Sequence, residues 1–121
     1  MGKTFIRLLP EGNSPPGLQP SDMTPLQAFT TENHTELNQT FFAISDESIL
    51  TGVWECAPSK EEIDSYPVHE LMTVISGSVT LTNTNGQSET FTAGDVFFIP
   101  KGTQCTWHIT ETLRKFYMIA T

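Results

Sequence analysis

The chain has few basic residues, little charge overall and no long hydrophobic segment. Six lysines and arginines stand against 14 aspartates and glutamates, which gives a net charge of −8. Such a charge repels phosphate groups, so neither nucleic acid nor an anionic membrane is an expected partner. Charged residues make up only 17% of the chain, and the surface must therefore be largely neutral and polar, which favours β-structure over salt-bridged helices.

Signals for export and for disulfides are also sparse. The first apolar run, Phe5 to Leu9, is interrupted by Arg7 and is too short for a signal peptide or a membrane span. We therefore expect a cytoplasmic protein with no membrane contact. In a reducing compartment the two cysteines, Cys56 and Cys105, are expected to stay thiols.

The first 30 residues differ from the rest in composition. Residues 10–25 hold five of the eight prolines, each of which removes a donor that a central strand needs. We expect residues 1–30 to form an N-terminal strand at Phe5–Leu9 and a proline-rich arm, and residues 31–121 to form one barrel. The strand is expected to dock on another sheet, and a homodimer follows if that sheet belongs to a second copy.

From Thr40 onward, strand-like runs alternate with turn signals, and one of these predicted turns is Ser76-Gly77. Asn85-Gly86 is the strongest of these signals, because a type I′ hairpin needs positive φ at both central residues. The best helical candidate is a capping-box match at Ser59–Glu62, which leaves room for one or two turns at most before Pro67. The chain is therefore predicted to be all-β, with strands in the runs TFFAIS, SILTGVWEC, VHELMTVI, SVTLTN, SETFTA, DVFFIP, QCTWHI and LRKFYMIAT.

Two glycine-containing stretches make the prediction more specific. Glu70 is followed by Gly77 with six residues between them, and Gly94 is followed by Pro100 and Gly102. Together they resemble the two cupin motifs, in the form found in the small single-domain subgroup called cupin 3, which is similar to the ethanolamine-utilisation cupins. The resemblance covers about residues 48–120. It implies a double-stranded β-helix, the RmlC-like jelly-roll cupin barrel.

The resemblance also indicates where a metal would sit, and the chain departs from the motifs there. The positions of the three metal-binding histidines are occupied by Asp64, Tyr66 and Cys105, and only Glu70 matches. No cofactor is therefore certain. If a divalent transition metal binds, Zn²⁺ or Fe²⁺ suits a mixed oxygen and sulfur set of Glu70 and Cys105, with His69 as the nitrogen ligand.

Strand periodicity suggests which side chains share the pocket. Asp64, Tyr66 and Glu70 have the same parity and are predicted to face inward, whereas His69 faces outward unless a bulge at Pro67 reverses it. Glu70 and Tyr66 are the candidate catalytic pair, exchanging protons, although Glu70 could equally be a buried structural carboxylate. The remaining pocket candidates, which could equally be core or packing residues, are Trp54, Cys56, Cys105 and Trp107.

The predicted function is the binding of a small polar organic molecule in the barrel, either a sugar derivative or a small carboxylate. An isomerase or lyase reaction is one alternative, and a non-catalytic binding or sensing module, with the tryptophans as stacking platforms, is another. A metal-dependent oxygenase is a lower alternative, because the first-motif histidines are absent. Fold alone does not choose among them.

Overall fold

The computed structural model describes residues 3–121, and nearly all of its regular structure is β. One 3₁₀ turn, Leu26–Ala28, is the single helical element among these residues, and none of them belongs to a helix with the length and hydrophobicity that a membrane crossing requires. The strands are β1 Gln19–Pro20, β2 Glu36–Ala43, β3 Ile49–Cys56, β4 Ser59–Ile63, β5 His69–Thr82, β6 Ser88–Thr92, β7 Val96–Ile99 and β8 Cys105–Ala120. The all-β prediction is confirmed.

Two long strands organise the sheet. All pairings are antiparallel, β8 pairs with β3, β4 and β5, and β5 pairs in addition with β6 and β7. The main strand order is β1-β2-β3-β8-β5-β6, and the sheet is not closed. Alternate residues of β5 and β8 point inward and form one core, which includes Met72, Val74, Val79, Trp107, Ile109 and Leu113.

Strand β5 is continuous at a place where the sequence predicted a turn. The runs VHELMTVI and SVTLTN form one strand, and the residues predicted to separate them lie at register shifts between β5 and β8. Gly77 has a φ of +82°, and a Cβ there would collide with the backbone of Glu111 and Thr112. The glycine thus allows a bulge against β8, where the sequence predicted a chain reversal. In the same way, QCTWHI and LRKFYMIAT are both parts of β8.

The prediction of a helix at Ser59–Glu62 was wrong. Ser59–Ile63 pairs with Cys105–Ile109 as β4, and its residues alternate between buried or half-buried and exposed positions, as in a strand with one face inward. Ser59 is almost fully buried, so its side chain is not a helix cap. Pairing with β8 overrides the short local capping signal.

The strand predicted at Phe5–Leu9 does not form either. The backbone N–H of Leu9 donates to Asn13 Oδ1 at 3.1 Å, and Asn13 Nδ2 donates to the carbonyl oxygen of Arg7 at 2.8 Å. Local side-chain hydrogen bonds thus satisfy backbone groups that a strand would give to a neighbour. The arm reaches the sheet only later, where Gln19–Pro20 pairs with β2.

Glu36, at the start of β2, holds the N-terminal arm against the sheet through hydrogen bonds. Its carboxylate is 4% exposed and accepts the backbone N–H groups of Thr24 at 2.8 Å and Met23 at 3.1 Å. It also accepts the Ser21 hydroxyl at 3.1 Å and the Trp54 indole N–H at 2.9 Å. Burial alone would raise the pKa of Glu36, but the hydrogen bonds, led by the one from Trp54, outweigh it and lower the pKa.

The first prediction concerns this attachment. Glu36→Gln keeps the size of the side chain but removes the charge and turns part of the acceptor set into donors. We expect it to lower the free energy of unfolding at neutral pH by about 1–3 kcal/mol, because buried N–H groups lose their acceptor. Urea unfolding measures the change, and Glu32→Gln, at an exposed position, is the matched control with an expected change within about 0.5 kcal/mol.

The pH dependence gives a second readout of the same variant. Because the pKa of Glu36 is lower in the folded than in the unfolded chain, its stabilisation is present above the ordinary value of 4.5 and is lost as pH falls through the lowered pKa. The stability gap between parent and Glu36→Gln should therefore narrow in acid. A gap that stays constant between neutral and strongly acidic pH would contradict the assignment.

Candidate functional site

A buried lysine, glutamate and tyrosine lie together inside the sheet. Lys115 Nζ donates to Glu70 Oε2 at 2.7 Å, and the Tyr66 hydroxyl donates to Glu70 Oε1 at 2.8 Å. The three residues are 5%, 6% and 9% exposed, so the cluster is sealed from solvent. Both carboxylate oxygens of Glu70 are thereby occupied by protein donors.

Two tryptophans and a methionine complete the surroundings of the lysine. Lys115 Nζ lies 4.8 Å from the ring centroid of Trp54 and 4.9 Å from that of Trp107, in the range of cation–π attraction. Met72 Sδ is 2.9 Å from the same nitrogen. In the described part of the chain, no buried side-chain nitrogen or oxygen lacks a hydrogen-bond partner. The charge of Lys115 is therefore compensated on several sides.

The strand pattern explains why these side chains meet. On β8 the inward positions include Trp107, Leu113, Lys115 and Tyr117, which are all buried and share one parity. Glu70 begins the inward series of β5, and Trp54 lies directly opposite Lys115 in the β3–β8 register. Three strands and the segment before β5 thus contribute to one cluster.

The environment of Tyr66 limits the chemistry of the cluster. Burial raises the pKa of the phenol, and the neighbouring Glu70 carboxylate raises it further. Tyr66 is therefore held protonated as a hydrogen-bond donor. The arrangement is suited to fixing a carboxylate in place, whereas proton exchange with a ligand would require Glu70 to give up one of its present partners.

The other predicted pocket residues are distributed around the fold. Trp54 and Trp107 contact the cluster, as described, but Cys56 lies apart from it, with Sγ 3.6 Å from Thr24 Oγ1 and 4.0 Å from Ser59 Oγ. Burial raises the pKa of the Cys56 thiol, which favours the unreactive protonated form. Cys56 thus packs under the arm.

His69 and Asp64 are not brought to Glu70. His69 is exposed on the outer side of β5, where its Nδ1 accepts the backbone N–H of Lys101 at 3.0 Å and its ring stacks on Phe98 with centroids 6.2 Å apart. Asp64 is also exposed. Cys105 is buried, and burial raises the pKa of its thiol. The hydrogen-bond partners of the Glu70 carboxylate are Tyr66 and Lys115 rather than Cys105.

The residues present do not fit a bound Zn²⁺ or Fe²⁺. Among residues 3–121 no group of three or more histidine, cysteine, aspartate or glutamate side chains is arranged to hold a metal ion. Glu70, the one matching motif position, already binds the ammonium group of Lys115, and His69 points to the opposite side of the sheet. A metal would have to displace a buried ion pair to reach the carboxylate.

An open cavity lies at a different place, between the β5–β6 hairpin and the segment that joins β7 to β8. Its volume is about 410 Å³. Apolar atoms come from Leu81, Phe91, Ile99 and the edge residue Phe98, while amides and hydroxyls come from residues that include Thr82, Asn83, Gln87, Ser88 and Gln104. A smaller cavity of about 170 Å³ adjoins it and shares Cys105; Glu62 and Asp64 line that part.

Comparison with known proteins assigns the family. A family model described as an EutQ-like cupin domain matches residues 45–117. The chain belongs to this cupin family. A search of curated proteins found no match to this cupin.

Solved structures support the same fold. A protein of unknown function from the DUF861 family of Pseudomonas syringae pv. tomato aligns with a TM-score of 0.76 and 30% identity, over 85% of this cupin and 44% of that chain. This cupin thus spans less than half of that relative. The putative ethanolamine utilization protein EutQ of Salmonella typhimurium (TM-score 0.60, 22% identity, 74% and 72% coverage) and EutQ of Clostridium difficile (0.60, 20%, 73% and 69%) show the likeness in fold alone.

Sequence reasoning missed Lys115, the residue that decides the character of the cluster. The signal was present: in the run LRKFYMIA, Lys115 has the same parity as Trp107 and Tyr117, so an inward-facing strand position carries a charge. A charge at such a position needs a buried partner, and Glu70 was the obvious one.

The second prediction is that Lys115 and Glu70 are strongly coupled. Lys115→Met leaves the carboxylate unpaired, and Glu70→Gln leaves the ammonium unpaired, so each should lower the free energy of unfolding by about 3–5 kcal/mol. The double variant should cost clearly less than the sum, because neither uncompensated charge remains. Urea unfolding of the four proteins gives the coupling energy.

A partly exposed ion pair in the same chain supplies the control. Arg114 Nε lies 3.0 Å from Glu55 Oε1, with side-chain exposures of 24% and 21%. The corresponding cycle of Arg114→Met and Glu55→Gln should give a coupling of about 1 kcal/mol or less. Equal coupling in the two cycles, or additive effects at Lys115 and Glu70, would contradict the central role of the buried pair.

Proposed function

We propose that this cupin is a cytoplasmic module that binds a small, uncharged polar molecule of the sugar-derivative class in its open cavity. The cavity itself carries the proposal. Its volume of about 410 Å³ lies within the range of about 300–1,000 Å³ that is typical of small-molecule sites. Its apolar surface and its amides and hydroxyls suit a ligand that has both carbon faces and hydroxyl groups.

The charges around the cavity argue for an uncharged ligand. Among residues 3–121, Glu89 is the only charged residue that lines the larger cavity, and Glu62 and Asp64 are the only ones in the smaller part. Among the described residues that line either part, there is no lysine, arginine or histidine. A small carboxylate would meet like charge and find no cationic partner, so a sugar derivative is favoured over it.

The closed state of the buried cluster supports binding rather than catalysis. An isomerase or lyase reaction through Glu70 and Tyr66 would require substrate contact with residues that are at most 9% exposed and already paired with each other or with Lys115. Trp54 and Trp107 contact the Lys115 ammonium, which competes with ligand stacking. An oxygenase would need a metal, for which the donor set is unsuitable. A binding or sensing role needs none of these changes.

The third prediction tests ligand class and location together. We expect neutral monosaccharides and polyols from a fragment library to shift the NMR signals of the Asn83, Gln87 and Gln104 side-chain amides in a saturable manner. Matched short hydroxy acids should not, because the carboxylates nearby repel them. The proposal fails if no neutral member shifts these amides, or if only the hydroxy acids do.

A pair of tryptophan variants locates the binding site. Gln104→Trp places a large ring at the cavity wall and should weaken binding of the strongest library member at least tenfold, or about 1.4 kcal/mol. Gln27→Trp makes the same substitution at an exposed position of the 3₁₀ turn that lines neither cavity, and it should keep the parent affinity. Equal affinity of both variants would place the ligand elsewhere.

A further inference from the structure

One outer side of the sheet is covered with hydroxyl groups, and this surface is here called the hydroxyl face. It is formed by the neighbouring strands β6, β5 and β8, at positions that alternate with core residues such as Val79, Phe91 and Trp107. Because side chains alternate along a strand, the hydroxyl positions point away from the core. The hydroxyl face consists of two registered rows, which are Ser88, Thr82 and Thr106, and then Thr90, Thr80 and His108.

The hydroxyl face contains no aspartate, glutamate, lysine or arginine, although the chain carries a net charge of −8. Five of its six residues carry a hydroxyl group, and the sixth is His108. Lys60 and Glu62, on β4, lie at the margin, opposite His108 and Thr106. A charged partner would find no array of counter-charges here, so a neutral polar partner suits this surface.

The hydroxyl groups are held in pairs across the strands. Thr80 Oγ1 lies 2.7 Å from Thr90 Oγ1, and Thr82 Oγ1 lies 2.7 Å from Ser88 Oγ. A hydroxyl group can donate one hydrogen bond and accept two, so each pair keeps a donor and several acceptor positions for an outside group. The hydroxyl groups of a sugar have the same capacity, whereas an apolar partner would leave these positions unsatisfied.

The hydroxyl face is continuous with the proposed ligand site. Thr82 lines both the larger and the smaller cavity, Ser88 lines the larger one, and Thr106 lines the smaller one. One row of the hydroxyl face is therefore the rim of the cavities, and the second row continues from it along the strands. A ligand that extends out of the cavities on this side would pass directly onto hydroxyl groups.

The larger cavity and the hydroxyl face offer a ligand different contacts. The cavity contains the aromatic rings of Phe91 and Phe98, on which a sugar ring can stack. The two rows of the hydroxyl face span about 10 Å across the strands and about 7 Å along them, which suits a short chain segment. The cavity should therefore supply most of the affinity, and the hydroxyl face should add hydrogen bonds to the units that follow.

We propose that the ligand is a short neutral oligosaccharide, with one sugar unit in the open cavity and the following units along the hydroxyl face. The proposal rests on the proposed function, because it extends the same ligand beyond the cavity. A monosaccharide would fill the cavity and leave the hydroxyl face hydrated, whereas a chain replaces that water with direct hydrogen bonds. Affinity should therefore rise with chain length until the hydroxyl face is filled.

The fourth prediction is this dependence of affinity on chain length. The probes are linear neutral oligosaccharides of one to six units, in separate series built from glucose, mannose or xylose, and NMR titration of the full chain gives the dissociation constants. In at least one series, four units should bind at least tenfold more tightly than one unit. The methyl signals of Thr80, Thr90 and Thr106 should shift with four units but not with one, because only the longer chain reaches them.

A double variant removes hydroxyl groups without changing the cavity. Thr80→Val with Thr90→Val keeps two β-branched side chains of similar shape, so the strands should be preserved. The affinity for four units should then fall to within about threefold of that for one unit, which should itself be unchanged. Thr73→Val is the matched control, because Thr73 is half-buried on the same strand as Thr80 but outside the hydroxyl face, and it should keep the full length dependence. Circular dichroism and the melting temperature check that the variants are folded.

The results separate the extended ligand from the cavity ligand. Monosaccharides that shift the Asn83, Gln87 and Gln104 amides, with the same affinity at every chain length in every series, would overturn the extended ligand but leave the cavity site in place. Length dependence that persists in the double variant, or threonine methyl signals that stay unshifted by four units, would also overturn it. If no neutral sugar of any length shifts the amides, the proposed function fails as well.

Discussion

The buried ion pair between Lys115 and Glu70 is the constraint around which this fold is arranged. It joins the two longest strands, and its partners extend to the segment before β5 through Tyr66 and to β3 through Trp54. A buried pair of this kind contributes little net stability over an apolar core, but the loss of one partner is costly. Its main effect is therefore to fix which residues lie next to each other inside the sheet.

The ion pair also connects the N-terminal arm to the wall of the open cavity. Trp54 contacts Lys115 with its ring and donates its N–H to Glu36, which holds the arm at Met23 and Thr24. On the other side, the backbone N–H of Tyr66 donates to the Thr103 carbonyl oxygen at 2.8 Å, and Thr103 lines the open cavity. One connected set of polar contacts thus runs from the arm through the core to the cavity wall.

Local periodicity was sufficient to predict part of this arrangement. The alternation around Glu70 placed Tyr66 on the same side and His69 on the other, and the structure has both features. Turn residues and β-branched runs predicted an all-β chain, and the glycine motifs predicted the cupin fold. These features depend on residues close together in sequence or on a recognisable motif.

Features that depend on distant pairing were missed. The capping signal at Ser59 predicted a helix, but pairing with β8 makes this segment a strand. A turn was predicted at Gly77, because the bulge there is apparent only from the close approach of Thr112 on β8. Lys115 lies 45 residues from Glu70, so this pair could be predicted only by combining the inward parity of two separate strands, because no local pattern joins the two residues. The cavity is likewise formed by segments that meet only in the folded chain, including Leu81, Phe91 and Gln104.

The ion pair also restricts the evolutionary routes open to this chain. A histidine substituted at position 66 to approach the metal-binding pattern would still face a carboxylate paired with Lys115, and one at position 64 would lie at an exposed position away from Glu70. A substitution at Lys115 alone would first pass through a chain with an uncompensated buried charge. Neither single substitution frees the Glu70 carboxylate for a metal ion without a cost in stability, so a metal centre at this place would require several simultaneous changes.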